Sequence, residues 1–431
     1  MSSRLVVKNG RVVDPARQVD AILDVAIEEG AIREVATSID PLGNTPVLDA
    51  TGLIVAPGFI DMHVHLREPG FEYAETIETG SRSAAAGGFT SVCCMPNTQP
   101  VNDNATVTSY IIARARRNAV VNVYPIGAIT KNSAGEELAE ISSMKEAGIV
   151  TISDDGRPVM NARLVRRAME FARSLRLPLI EHCEDLHLSA GGDMHEGVES
   201  TRLGLRGIPR AAEDVMVARD ILLAEVTGAH YHVAHISSKN AVDMVAFAKS
   251  RGLPVTAEAT PHHFVLADRD MPPYDSNYKM KPPLREPRDV DAVTQGLASG
   301  VIDAIATDHA PHPGSEKMQE FERCPFGIIG LETAIALSLD RLFHTGKAGL
   351  SQFVSWFTVN PARILRLPGG TLAPGSPADL TLFSLDAEWI YDVNKSPSKS
   401  RNTPFNGRKF KGGPFATIVA GDLIWRAGEF L

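Results

Sequence analysis

Between residues 59 and 307 the chain repeats one pattern eight times. A short apolar, β-branched run is followed, in most cases, by a helix-like stretch. The runs cover 59–65, 89–95, 121–126, 148–153, 178–182, 230–236, 254–259 and 301–307; Asn161–Leu175 and Ala211–Thr227 are clear examples of the helical partners. Strand–helix alternation requires parallel strands, because the helix carries the chain back to the strand's starting edge. Eight such units predict a (β/α)8 TIM-like barrel, an α/β fold.

The flanks have a different texture. Residues 1–57 read as short strands at Arg4–Lys8, Arg11–Val13, Leu23–Glu28, Ala31–Ala36 and Leu48–Val55, with turn signals at Asn9-Gly10, Glu29-Gly30 and Thr51-Gly52. The same texture returns at Asp379–Leu385, Trp389–Tyr391, Ala416–Val419 and Asp422–Arg426. A small β-sandwich built from both chain ends is expected. Its segments are 1–57 and 363–431, around a catalytic barrel at 58–362.

At 431 residues, 44% hydrophobic and 22% charged, the chain can bury a large core. No apolar run reaches the roughly 18 residues of a membrane helix. The first residues carry no signal-peptide pattern, so a cytoplasmic location is expected. Cys93, Cys94, Cys183 and Cys324 form no C-x-x-C pair and read as free thiols, with Cys183 a buried neighbour of His182 rather than a ligand. A net charge of −9 argues against a nucleic-acid surface but not against a small anionic substrate, which responds to the local field of a cleft.

The ends of the runs hold the chemistry. The first ends in His63-Val64-His65, and residues two apart on a strand point to the same side, so two imidazoles converge. The fourth ends in Ser153-Asp154-Asp155-Gly156, the fifth in His182, the sixth in His235 and the eighth in Asp308. Barrel enzymes build their active sites at the C-terminal strand ends. A lone His at a strand end is more often a surface or satisfied core residue, and His-x-His alone leaves the odds about even. Five sites obeying one geometric rule point to a metal centre. Four imidazoles and two carboxylates suit a two-metal hydrolytic site, with zinc favoured and manganese, iron or cobalt as alternatives. His187, His195, His230, His262, His263 and His344 obey no such rule, and His232 falls mid-strand; all are assigned to structure.

The run Pro57-Gly58-Phe59-Ile60-Asp61-Met62-His63-Val64-His65-Leu66-Arg67 resembles the amidohydrolase superfamily, and within it the class I dihydroorotases. Supporting stretches are Arg67-Glu68-Pro69-Gly70, Met95-Pro96-Asn97-Thr98, Ser153-Asp154-Asp155-Gly156, Ala234-His235-Ile236-Ser237, Thr307-Asp308-His309-Ala310-Pro311-His312 and Phe326-Gly327-Ile328. The similarity runs from about residue 4 to residue 428. It implies His63, His65 and Asp308 on one zinc, His182 and His235 on a second, and Asp155 as the bridge. One or two zinc ions per subunit fit this set, with two the expected count. It also implies reversible cyclisation of N-carbamoyl-L-aspartate to L-dihydroorotate in pyrimidine (UMP) biosynthesis, through a zinc-activated hydroxide with Asp308 as general acid and base. Substrate contacts fall on His65, Arg67, Asn97, His312, Phe326 and Gly327. Segment 309–327 is expected to act as a lid.

One position departs from the pattern. Relatives carry Lys-Met-Asn-Pro-Pro-Leu-Arg where this chain has Lys279-Met280-Lys281-Pro282-Pro283-Leu284-Arg285. Lys281 is donor-only and cannot copy an amide. It is expected either to reach the substrate carboxylate or to swing into solvent. Two rival readings stand beside the main one. A hydantoinase or allantoinase would normally bridge its metals with a carboxylated lysine, and the fourth run ends without one. A metal-free scaffold subunit for aspartate transcarbamoylase would have lost ligands that are all present here. The expected partners are the small-molecule substrate and further copies of the chain, with transcarbamoylase association left open.

Overall fold

The computed structural model describes residues 4–431. Parallel strands at Phe59–Val64, Phe89–Cys94, Asn122–Pro125, Leu179–Glu181, Tyr231–Val233, Val255–Ala259 and Ala304–Ile305 supply seven staves of a barrel. The fourth stave is reduced to one residue, Ile152, which bridges Gly127 on one side and Leu179 on the other. A parallel bridge from Val64 to His309 closes the ring. The expected strand at 148–153 is thus shorter than the apolar run. Its end turns at Ser153-Asp154-Asp155 into the site.

Helices follow the staves on the outside. The expected stretch Ala211–Thr227 forms a helix over those residues, ended by Gly228 at φ 66, a left-handed conformation that glycine adopts without a Cβ clash. Asn161 caps the helix Ala162–Ser174 by accepting from the N–H groups of Arg163 and Leu164. The buried faces of these helices join the barrel staves in one large apolar core that includes Val165, Ala168, Val217, Ile221, Tyr231 and Ala257.

The two chain ends share one nine-stranded sheet. Ile54–Pro57 is its hinge, lying parallel to Arg4–Asp14 and antiparallel to Leu380–Ile390. An antiparallel bridge from Ala31 to Pro377 and a hydrogen bond from Ala378 N to Gly30 O bring the edge strand Ala31–Ala36 back against the residues that lead into Leu380–Ile390. The sheet therefore folds over a core of its own, with Leu5, Val7, Val25, Ile32, Leu48, Leu380, Leu382 and Ile418 inside. Three expectations need correction here. Leu48–Val55, read as one strand, is two, Val47–Asp49 and Ile54–Pro57, parted by a turn at Thr51-Gly52. Asn9-Gly10, read as a turn, is a bulge within the single strand Arg4–Asp14, where Asn9 has φ 62 and the register slips between Val7 and Gly10. Likewise 379–385 and 389–391 are one strand, Leu380–Ile390, with an irregularity between Ser384 and Glu388. Among the described residues no helix is long and apolar enough to cross a membrane.

Candidate metal centre and active site

The strand ends converge as barrel geometry requires. His63, His65, Asp155, His182, His235 and Asp308 meet at the C-terminal mouth, and each is 4% exposed or less, so the cluster is shielded from bulk water. Two trios have ligand atoms within 4.8 Å of one another: His63, His65 and Asp308, and His63, Asp155 and His235. His65 Nε2 lies 2.9 Å from Asp308 Oδ1. Asp155 sits centrally, 3.4 Å from the Nε2 atoms of both His63 and His65, 3.5 Å from His235 Nε2 and 3.6 Å from His182 Nδ1. Its neighbour Asp154 turns away. It accepts from the N–H groups of Ile129 and Thr130 and from the Thr130 hydroxyl, organising the preceding loop.

Asp61 braces the two strands that bear His63, His65 and Asp308. It accepts from His63 N at 3.1 Å, Thr307 N at 3.1 Å and Thr307 Oγ1 at 2.6 Å. Arg67, His235 and Asp308 all have positive φ, at 60°, 31° and 45°. Such strain, typically about 1–3 kcal/mol per residue, persists where surrounding structure over-determines the backbone.

The cluster demands positive charge. Burial pushes the Asp155 carboxyl up, but the facing imidazoles of His63, His182 and His235 hold it well below the usual carboxylate range. Burial opposes and His63 and His65 depress Asp308 in the same way. Conversely, burial lowers His63, yet Asp155, Asp308 and Glu258 raise it well above the ordinary imidazole value. A divalent cation meets this demand by displacing those protons from the same lone pairs. His63 Nε2 and Asp155 Oδ1 face one another at 3.4 Å, both buried without hydrogen-bond partners, and both residues belong to one of the two trios. Orphaned buried acceptors are costly. The donor set therefore fits metal ions.

The expected substrate-binding residues form an arc beside the cluster. Asn97 Oδ1 lies 2.9 Å from His65 Nδ1, and its Nδ2 reaches the Asp155 carbonyl at 3.4 Å. Arg67 Nε donates to the Pro311 carbonyl at 3.2 Å, and its Nη2 lies 3.3 Å from His312 Nε2. Phe326 lies beneath two ammonium groups, Lys279 at 4.5 Å and Lys281 at 4.8 Å from the ring centre. Gly327 has φ 151, and a Cβ there would come within 2.7 Å of Ala310 O and 2.8 Å of the His312 ring, so the close approach needs glycine. Lys281 does not swing free into solvent. Its ammonium is 2.6 Å from Glu184 Oε1, while Glu184 Oε2 lies 2.9 Å from His182 Nε2. Lys281 and Phe326 also line a cleft of about 680 Å³ with Gly191, Gly192, Arg206 and Glu322. Segment 309–327 is packed down in this structure. It carries a short helix, Gly314–Lys317, and Lys317 Nζ donates to the carbonyls of Pro325 at 2.9 Å and Gly327 at 3.3 Å.

Three supporting residues escaped the sequence reading. Glu184 follows His182 by two positions, so a carboxylate beside a candidate ligand was the available signal. Glu258 is a lone charge inside the apolar run 254–259, the one run in the second half of the barrel to which no ligand was assigned. Asn402 carried no local signal. Its partners Ala310, His312 and Gly327 are 75 to 92 residues away.

Comparison with known proteins agrees with the geometry. Residues 52–241 match the family model described as Dihydro-orotase-like. A dihydroorotase of Solibacter usitatus is 68% identical over 421 residues, covering 98% of both chains. One from Pelotomaculum thermopropionicum is 55% identical over the same length and coverage. Among solved structures, the L-hydantoinase of Arthrobacter aurescens superposes with a TM-score of 0.90 at 24% identity, covering 100% of this chain and 98% of that one. The D-hydantoinase of a Thermus species gives 0.85 at 26%, covering 99% and 96%. The fold is thus the amidohydrolase barrel with its terminal sheet. With 55–68% identity sustained along nearly the whole of both partners, this chain belongs to the dihydroorotase family.

Proposed function

We propose that the chain is a zinc-dependent dihydroorotase, interconverting N-carbamoyl-L-aspartate and L-dihydroorotate in pyrimidine biosynthesis. One observation carries this reading. Four imidazoles and two carboxylates are buried together at the barrel mouth, with an aspartate, not a lysine, at their centre and the Arg67 fork beside them. His63, His65 and Asp308 would hold one zinc, His182 and His235 a second, and Asp155 would bridge. Bound zinc supplies Lewis acidity toward water and toward a carbonyl oxygen.

The protein's own groups do the rest. Arg67, with its planar fork, is suited to the substrate's free carboxylate, and Asn97 and His312 add hydrogen bonds. Phe326 and Gly327 shape the wall behind that carboxylate. In ring closure a C–N bond forms between the ureido nitrogen and the side-chain carboxyl carbon, a C–O bond breaks, and water leaves. Asp308 accepts the ureido proton. In hydrolysis water adds to the ring amide carbon, the C–N bond breaks, and Asp308 returns the proton to the departing nitrogen. Lys281 belongs to this proposal as a residue at the cleft wall, held by Glu184 until substrate arrives.

The division into a composite terminal domain, 1–57 with 363–431, and a catalytic barrel, 58–362, is part of the same reading, supported by the separate apolar core of the terminal sheet. So are a cytoplasmic location and assembly as a homo-oligomer. The test is one assay series with zinc-loaded protein on dihydroorotate, hydantoin and allantoin, with metal analysis. Turnover confined to dihydroorotate and stoichiometric zinc are expected. Turnover of hydantoin alone, or protein that takes up no metal, refutes it.

A further inference from the structure

Behind His63 runs a file of hydrogen-bonded side chains through the barrel interior. His63 Nδ1 lies 2.7 Å from Glu258 Oε1. Glu258 Oε2 lies 3.2 Å from His232 Nε2. His232 Nδ1 lies 2.8 Å from Thr256 Oγ1, and Thr256 Oγ1 lies 2.8 Å from His230 Nε2. Glu258, His63 and His232 are each 0% exposed, so water cannot substitute for any partner.

Counting donors gives this file one direction. An ionised carboxylate only accepts. Glu258 between two imidazoles must therefore receive a proton-bearing nitrogen from each: Nδ1–H of His63 and Nε2–H of His232. His232 then presents a bare Nδ1, which the Thr256 hydroxyl fills by donating. The Thr256 oxygen in turn accepts from His230 Nε2–H. Each of the four contacts then pairs one donor with one acceptor, and His63 is left with its lone pair on Nε2. That atom is the buried, partnerless one, 3.4 Å from both Asp155 Oδ1 and Asp308 Oδ1.

We infer that Glu258 is a positioning residue for the metal centre: with His232 behind it, it fixes the tautomer and ring orientation that aim His63 Nε2 at the ligand cluster. This rests on the metal reading of the site. The mechanism is general, since a ligating imidazole held through its other nitrogen loses its freedom to flip and becomes a stronger base. The relay also explains two residues assigned above only to structure. His232, fully buried, and His230, half-buried, lie along the file, and each passes the hydrogen-bond direction upward to the site.

The test compares zinc affinity of metal-free wild type, Glu258→Gln and Glu258→Ala, by competition with a chromophoric chelator. Glutamine keeps an acceptor for His63 Nδ1–H, and alanine does not. Alanine is expected to weaken zinc binding about 10–100-fold, with most of the loss recovered in the glutamine variant. Equal affinity of Glu258→Ala and wild type overturns the inference, and so does an equal loss in both variants. Wild type that binds no zinc overturns the metal reading itself, a separately visible outcome. Imidazole ¹⁵N spectra of zinc-loaded wild type, with His63 assigned by its absence in His63→Gln, give a readout independent of how the alanine variant folds. A proton on Nδ1 is expected; a proton on Nε2 refutes the file's direction.

Discussion

Replacing Asn402 by alanine should release the segment that carries His312. Asn402 is 3% exposed, and its side chain makes three hydrogen bonds to that segment. Nδ2 donates to Ala310 O at 2.9 Å and to Gly327 O at 3.0 Å, while Oδ1 accepts from His312 N at 3.1 Å. At about 1 kcal/mol net per bond, alanine removes about 3 kcal/mol from the closed arrangement. With 1.4 kcal/mol per decade, local opening becomes about 100-fold more frequent. Amide hydrogen exchange at Ala310, His312 and Gly327 should accelerate by that factor, while exchange in the helix Ala211–Thr227 stays unchanged. The KM for dihydroorotate should rise together with it, because Arg67 leans on Pro311 and His312. Asn402→Asp is the sharper variant. It is nearly isosteric but has no donors, so a carboxylate would face two carbonyl oxygens, and it should open the segment more than alanine does. Exchange in 310–327 indistinguishable from wild type in both variants would refute the reasoning.

Four further expectations rest on the same geometry. Asp308→Asn should lower kcat at least about 100-fold with unchanged circular dichroism; a near-normal rate sinks its role as proton carrier. Arg67→Lys should raise KM more than it lowers kcat, since a point charge replaces a fork; steady-state kinetics on dihydroorotate decide it. Chelation of metal should abolish turnover and lower the melting temperature, both restored by zinc, as activity and calorimetry on one sample would show. Lys317 provides a pH prediction: burial pushes its ammonium down to about 8, below its ordinary 10.5. The unfolded chain then binds more protons between those values, so this residue's contribution to stability grows as pH rises from 8 to 10.5. The melting temperature of wild type relative to Lys317→Met should climb across that window; a flat difference refutes it.

What could be read in the sequence followed local rules. The helices at Ala211–Thr227 and Ala162–Ser174 were legible because helical periodicity is set by near neighbours. The strand-end ligands were legible because one architectural rule places them all on one face. The bulge at Asn9 was not, because a turn dipeptide and a bulge use the same positive φ and differ only in whether the partner strand continues. The fourth stave dwindled to Ile152 for a related reason: an apolar run reports burial, not ladder pairing. The ion pair of Lys281 was not legible because its partner, Glu184, lies 97 residues away. Glu258 was not legible because the rule that places ligands concerns strand ends, and it acts from within the strand Val255–Ala259.

The hinge strand Ile54–Pro57 is sandwiched between a neighbour from the first fourteen residues and another that begins at Leu380. During synthesis one of its edges must wait for more than three hundred residues to emerge before it finds a partner. Until then it offers an open ladder of amides and carbonyls, a template for pairing with another nascent chain. Messages truncated before codon 380 should therefore yield insoluble product even when the whole barrel has been translated.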